Sequence, residues 1–207
     1  MSRLATWRRR LWVLRVLPAP ARKWAIKRYL ESQASRASRL AAAQLAGAGR
    51  LVFVCNGNIM RSAFATRVVR EHMPAQIARV VGGGTHARAG RAAQDAALVV
   101  AAQLQLPLDQ HRATPIDALD LGEHDVIVCM DALNEANVLA GYPTLAPRVF
   151  RVGDICAGGE TLPFADRELH DPYGKGEQVT RSAFQILASL AQAWAARAFG
   201  EDTRTPR

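Results

Sequence analysis

Cysteine is scarce in this chain: Cys55, Cys129 and Cys156 are the only three in 207 residues. Three scattered thiols make no disulfide framework, and neither they nor the five histidines show the paired spacing of zinc ligands. No metal and no other cofactor is expected. Free thiols suit a reducing, cytoplasmic setting. Long apolar runs are missing too. The longest falls far short of the roughly 20 residues that span a bilayer. Arg15 interrupts the only candidate core of a leader peptide, so the arginine pair before Leu11 is not read as a twin-arginine signal. Acid is nearly absent from the first 50 residues, where Glu31 stands alone against twelve Lys and Arg. Residues 51–207 carry fifteen bases and seventeen acids, so the body is close to neutral and no nucleic-acid partner is expected.

What is present is an ordinary globular composition, 49% apolar and 22% charged, in a length that suits one domain with an appendage. The appendage is a basic helical arm over 1–49. Trp7, Leu11, Trp12, Leu14 and Val16 sit among Arg3, Arg8, Arg9, Arg10 and Arg15, and Pro18 and Pro20 break the run. A second helical pattern follows from about Ala21 to Ala46, with Lys23, Lys27, Arg28, Arg36 and Arg39. Two readings stand side by side. A basic helix bearing Trp and Leu lies on an anionic membrane surface, gaining about 1 kcal/mol per nearby cation, which puts the chain at the inner membrane face. Alternatively the arm is a solvated or loosely docked extension.

The body, residues 50–200, alternates strand and helix and ends in a short flexible tail over 201–207. Leu51–Val54 reads as a buried parallel strand. A helix from Ser62 to about Met73 follows, closed by Pro74, then a strand over Arg79–Gly82 that runs into Gly83-Gly84-Thr85. A helix over about Gln94–Gln105, a strand around Asp125–Asp131, a helix over Ala132–Leu139, a strand over Arg148–Val152 and a long closing helix from Val179 to about Phe199 complete the order. Such alternation predicts an α/β, three-layer α/β/α fold on a four-stranded parallel sheet. Ligands then sit beyond the carboxyl ends of the strands.

Cys55 stands at such an end, followed by Asn56, Gly57, Asn58, Ile59, Met60, Arg61 and Ser62. A strand, a short loop and a helix N-terminus gather backbone N–H groups on one point and make it favour an anion. Gly57 and Asn58 tolerate the positive φ that a loop wrapped around an oxyanion demands. Arg61 brings a planar, permanently charged fork suited to two phosphate oxygens. The positive field that holds a phosphate also favours a thiolate. Anion binding and a nucleophile thus come from one loop.

The run Val54-Cys55-Asn56-Gly57-Asn58-Ile59-Met60-Arg61-Ser62 resembles the signature of the low-molecular-weight protein tyrosine phosphatases. Gly82-Gly83-Gly84-Thr85 and Leu108–Ala113 are similar to further stretches of that family. One departure is plain. Met60 replaces the family's second cysteine, which traps an oxidised nucleophile, and so implies a chain more prone to irreversible over-oxidation.

Transfer of a phosphoryl group to sulfur needs a proton for the departing oxygen. Asp171 in Leu169-His170-Asp171-Pro172-Tyr173 is the candidate, because Asp-Pro sets a turn and a bound phosphate keeps a nearby carboxyl protonated by like-charge repulsion. The segment resembles the family's Asp-Pro-Tyr/Trp motif. By that resemblance Asp171 is general acid and then base, Tyr173 is a wall against the substrate ring, and the catalytic set is Cys55, Arg61 and Asp171. Phosphate binding falls to Asn56, Gly57, Asn58, Ile59, Met60, Arg61 and Ser62, with Ser62 bonded to Cys55 and Asn58 shaping the loop. The implied partner is a phosphotyrosine protein, at family level a bacterial tyrosine kinase of polysaccharide export.

Other features are read more plainly. Cys129 and Cys156 are structural, Asp131 and Asn134 cap a helix, His170 is a loop histidine, and His86 and Arg88 are placed by topology at the pocket rim. Three rival functions remain. A thioredoxin-coupled arsenate reductase shares the fold and loop, but its second relay cysteine should stand where Ala136 and Asn137 are. A non-catalytic, membrane- or nucleic-acid-associated adaptor leaves the intact site residues unexplained. The family's arginine-directed phosphatases carry Thr where Ile59 stands, and an apolar residue there suits a flat ring better.

Overall fold

The computed structural model describes residues 15–43, 45, 48–155 and 168–200. Trp7, Trp12, Cys156 and the expected tail lie outside the described residues. Four parallel strands, β1 (Leu51–Cys55), β2 (Val80–Gly84), β3 (Val126–Cys129) and β4 (Val149–Arg151), lie in the order β2-β1-β3-β4. Every residue of β1 is buried, as an uncharged run rich in branched and aromatic side chains must be when both sheet faces are covered. Phe53 and Cys55 enter one core layer with α3 (Arg61–His72), α4 (Asp95–Gln103) and α6 (Gly176–Phe199). Val52 and Val54 enter the opposite layer with α5 (Ala132–Gly141). This is the expected three-layer α/β/α arrangement.

The closing helix α6 is held by shape and by a buried polar anchor. Phe184 stacks on Phe64 of α3 with ring centroids 4.0 Å apart. Trp194, fully buried, donates its indole N–H to Val152 O at 2.7 Å, which satisfies the one polar atom it takes into the core.

The sequence pattern over 21–46 resolves into two helices, α1 (Ala19–Leu30) and α2 (Gln33–Ala42), rather than one. Ser32 is the reason: its hydroxyl accepts from Ser35 N at 3.1 Å and starts α2 afresh. Pro20 does not break α1 but sits in its first turn, where its missing N–H has no intrahelical partner to lose. Both helices pack on the body. Leu17 and Ala21 are buried against Ala136 of α5. Arg39 of α2 lies 4.7 Å from the Phe150 ring centroid and donates to Val149 O at 2.6 Å, so a side chain from the arm covers the β4 edge of the sheet. Arg28 and Arg36 are buried, at 6% and 1% exposure.

β2 ends in three glycines because its neighbours crowd it: Leu119 lies on Gly83, α3 on Gly82, and the loop after β1 directly on Gly84. A Cβ on Gly84 would stand 2.7 Å from Asn56 O and 2.8 Å from Asn58 N, and one on Gly82 would stand 2.7 Å from Thr66 Oγ1. Backbone atoms cannot swing aside as a side chain end does. Gly84→Ala is therefore expected to destabilise the chain by about 1–3 kcal/mol and to weaken phosphate binding. Gly122→Ala, with nothing within 4 Å of the new methyl, should leave both unchanged. Thermal unfolding with and without phosphate checks this, and equal behaviour of the two variants would contradict it.

Candidate active site

β1 delivers Cys55 to the carboxyl edge of the sheet, and the chain turns through residues 56–60 into α3. Asn58 makes that turn in the left-handed region, at φ 51°. It is wholly buried, and both its backbone and its side chain are hydrogen-bonded. Its N–H points at Cys55 Sγ (3.3 Å), its Nδ2 donates to Ser62 Oγ (2.8 Å), its Oδ1 accepts from Thr114 N (2.9 Å), and its O meets His111 Nε2 (2.6 Å). Ser62 Oγ lies 3.1 Å from Cys55 Sγ and 3.1 Å from Gly83 O. Its single proton has two acceptors, a carbonyl and the sulfur, and an anionic sulfur is the stronger one.

Arg61 is 1% exposed at the start of α3. Its NH1 donates to Asp131 Oδ2 (2.7 Å) and Leu169 O (2.8 Å), and its NH2 contacts Asp171 Oδ2 (2.8 Å). Burial pulls the guanidinium pKa down, but Asp131, Cys55 and Asp171 together outweigh it and leave it raised. Nε is buried without a hydrogen-bond partner. Nε therefore remains for an incoming acceptor, beside an NH2 that already contacts Asp171.

Asp171 Oδ1 accepts from Tyr173 N at 3.2 Å, the Asx turn that aims the carboxyl. Its side chain is 44% exposed and meets Arg61 on the wall of a cleft of about 270 Å³. Cys55, Asn56, Gly57, Ile59, Met60, Arg61, Asp171 and Tyr173 all line this cleft, and Asn58 and Ser62 stand behind it. His86 is on its wall as topology suggests, while Arg88 is not among the lining residues and Arg91 is.

Two residues do more here than sequence reasoning assigned them. Asp131 does cap α5, its Oδ1 accepting from Asn134 N at 2.8 Å, but its other oxygen holds Arg61. Its place after β3, whose Cys129 pairs in register with Val54, was the available signal. His111 went unassigned, and nothing in its local pattern marks a contact 53 positions away. Cys129 is fully buried on the opposite sheet face, and burial, with Glu135 and Asp131 beside it, pushes its thiol pKa well up. The sheet separates it from Cys55, which lies in the other core layer. Among the described residues no cluster of His, Cys, Asp or Glu could hold a metal ion.

Burial lowers the pKa of His111, outweighing its bond to Asn58 O. Between the ordinary value near 6.5 and the lower folded value, the unfolded chain takes up a proton that the folded chain does not. The contribution of the neutral ring is complete above that window and is lost as pH falls through it. Denaturant midpoints should therefore drop between neutral and mildly acid pH, and drop less in His111→Gln. Identical pH slopes in the two proteins would remove His111 from this role.

Residues 50–204 match the family described as low molecular weight phosphotyrosine protein phosphatase. The chain is 26% identical over 147 residues to a probable low molecular weight protein-tyrosine-phosphatase, EpsP, of Ralstonia solanacearum, covering 71% of this chain and 94% of that one. It is 29% identical over 146 residues to the low molecular weight protein-tyrosine-phosphatase Wzb of Salmonella typhi, covering 70% and 91%. Its fold is similar to that of the tyrosine phosphatase AmsI of Erwinia amylovora, with a TM-score of 0.61 at 23% identity over 71% of this chain and 91% of that one. With this fold, this loop and this match over three quarters of its length, the chain belongs to the low molecular weight phosphotyrosine protein phosphatase family and is a phosphatase.

Proposed function

We propose that the chain hydrolyses phosphotyrosine in proteins through a phosphocysteine intermediate, with Asp171 as general acid and then general base. The observation that carries this is the meeting of three groups in one cleft: the Cys55 sulfur, the unpaired Nε of Arg61, and the Asp171 carboxyl. In the free protein Asp171 occupies the Arg61 NH2. A phosphate dianion is the better partner for that cation. It takes NH2 and Nε together and leaves the displaced carboxylate beside negative charge, where it takes up the proton it then donates.

The Cys55 thiolate then attacks phosphorus as the bond to the aryl oxygen breaks. Asp171 gives its proton to that oxygen, while Arg61 and the loop amides bear the charge on the three equatorial oxygens. In the second step water attacks phosphorus, the sulfur leaves, and Asp171 takes the proton. Ser62 turns its hydroxyl proton to the departing sulfur. Ile59 and Tyr173 both line the cleft and favour a flat ring over the guanidino group of a phosphoarginine. The proposed substrate is a phosphotyrosine protein, a bacterial tyrosine kinase of polysaccharide export being the family-level expectation.

Cys55→Ser should abolish turnover of p-nitrophenyl phosphate while keeping vanadate or phosphate binding. Asp171→Ala should slow turnover by about 10²–10⁴-fold and retain phosphotyrosine proteins in a pull-down. Substantial turnover by the serine variant would refute the covalent route.

A peripheral membrane site is proposed for the arm on narrower ground. No helix of the described residues is long and apolar enough to cross a membrane. Three of the arm's arginines face the body, but Arg15, Arg22, Lys23 and Lys27 are exposed beside Ile26, Tyr29 and Leu30, the last at 73%. Cations interleaved with apolar side chains suit an anionic lipid surface. Full-length protein should sediment with anionic vesicles and lose most of that binding when those four cations become Gln. Equal sedimentation of both proteins would exclude it.

A further inference from the structure

The cleft holds a second permanent cation that the chemistry above does not use. Arg61 and Arg91 both line it. Arg61 is buried, and Asp131 and Asp171 meet its charge. Arg91 is exposed, and among the described residues nothing engages its guanidinium by a hydrogen bond or an ion pair. Asp95, the next acid along the chain, opens α4 without pairing with it. The two arginines of one cleft therefore differ in kind. One is committed to the protein and the transferred phosphate, and the other is left to solvent.

A free side chain can still have a fixed root. The segment 85–94 that carries Arg91 is stitched to the phosphate loop along its length. Thr85 N–H donates to Cys55 O (3.0 Å), His86 N–H to Asn56 O (2.8 Å) and Gln94 N–H to Ile59 O (3.0 Å). Gly90 N–H donates to Ala113 O (2.9 Å), and Ala113 N–H donates back to Arg91 O (2.8 Å). The following residue, Thr114, is itself bonded to Asn58. Gly90, at φ 77°, supplies the turn before Arg91. The backbone of Arg91 is thus placed against Cys55 while its head group stays open.

Depth decides what each cation can meet. Cys55 and Arg61 are buried, whereas Arg91 and Tyr173 are exposed. A phosphotyrosine therefore enters with its phosphate at the buried end and its backbone at the exposed end, where Arg91 stands. The residues on either side of it come within reach of an unpartnered guanidinium. Such a group recognises an anion, because its fork offers parallel N–H bonds to the oxygens of a carboxylate or a phosphate. We infer that Arg91 is a specificity residue: it pairs with an anionic group, a carboxylate or a second phosphate, on a residue adjacent to the phosphotyrosine. The inference rests on the phosphotyrosine reading above and adds the sequence context in which that residue is best hydrolysed.

Three phosphotyrosine peptides of one length test it, the residues on both sides of the phosphotyrosine being Gln, Glu or phosphoserine. For full-length protein at low salt, kcat/KM is read from tyrosine formation and expressed relative to the Gln peptide. A ratio within one sample cancels the folded fraction. Hydrolysis of p-nitrophenyl phosphate but of none of the peptides sinks the phosphotyrosine reading and the inference with it. Otherwise the wild-type ratio should be about two- to fivefold for Glu and about tenfold for phosphoserine. A ratio raised by one anion alone assigns the source. Arg91→Gln should bring the ratios to near one, Arg91→Lys should keep them above one, and Arg91→Glu should push them below one. Arg88→Gln, exposed on the same segment but off the cleft wall, should match the wild type. Wild-type ratios near one, or unchanged ratios in Arg91→Gln, overturn the inference. So does an equal fall in Arg88→Gln and Arg91→Gln, the mark of a diffuse field instead of a contact.

Discussion

Keeping one guanidinium charged and immobile inside the protein is the constraint on which this site depends. Arg61 gives up its hydration at the start of α3, a loss that would drive it toward neutrality or out of the cleft. Asp131 prevents both. Its carboxylate fixes NH1 and restores the charge balance, while its second oxygen is spent on the first turn of α5. The cation is thereby tied to a helix, to β3 through that helix, and to the Asp-Pro turn through Leu169 O. A lysine could not replace it, because three separate partners are met by three directions of one rigid plane.

Asn58 plays the corresponding part for the anion's other side. An amide side chain has two donors and an acceptor, and here they bind Ser62 and Thr114 while the backbone N–H faces the sulfur. The left-handed backbone at this residue is held by His111 from one side and by the glycine floor of β2 from the other. The loop is held in one shape by these contacts alone. Preorganisation of this kind is where most electrostatic stabilisation of a transition state comes from.

The parallel sheet, the phosphate-sized loop and the Asp-Pro turn could all be read from the chain, because each is written locally. Leu51–Val54 is a continuous apolar run, Gly57 and Asn58 permit the turn, and Tyr173 N closes a ring on Asp171 only two residues back. His111 could not be read, since its role is a single contact between distant segments. Asp131 was legible only in its local half, as a cap. The three glycines of β2 were visible, yet the reason for them is what packs against them, Leu119, Thr66 and the loop after β1, and that comes from other parts of the chain. What sequence hides here is what one segment does for another.

The arm shows the same limit in its charge. Twelve bases against one acid in the first 50 residues announce a basic segment, but composition does not say which face of a helix each base takes. On α1 and α2, Arg28, Arg36 and Arg39 turn inward to carboxylates and a strand edge, and Lys23 and Lys27 turn outward. The inward set are all arginines, the side chain that is more weakly hydrated and can share one buried carboxylate with a second cation while donating elsewhere. The outward set includes both lysines, which are strongly hydrated and pay most for burial. One basic segment therefore divides into an inward set, all arginines, and an exposed set that holds both lysines together with Arg15 and Arg22. Net charge alone would have assigned all of it outward.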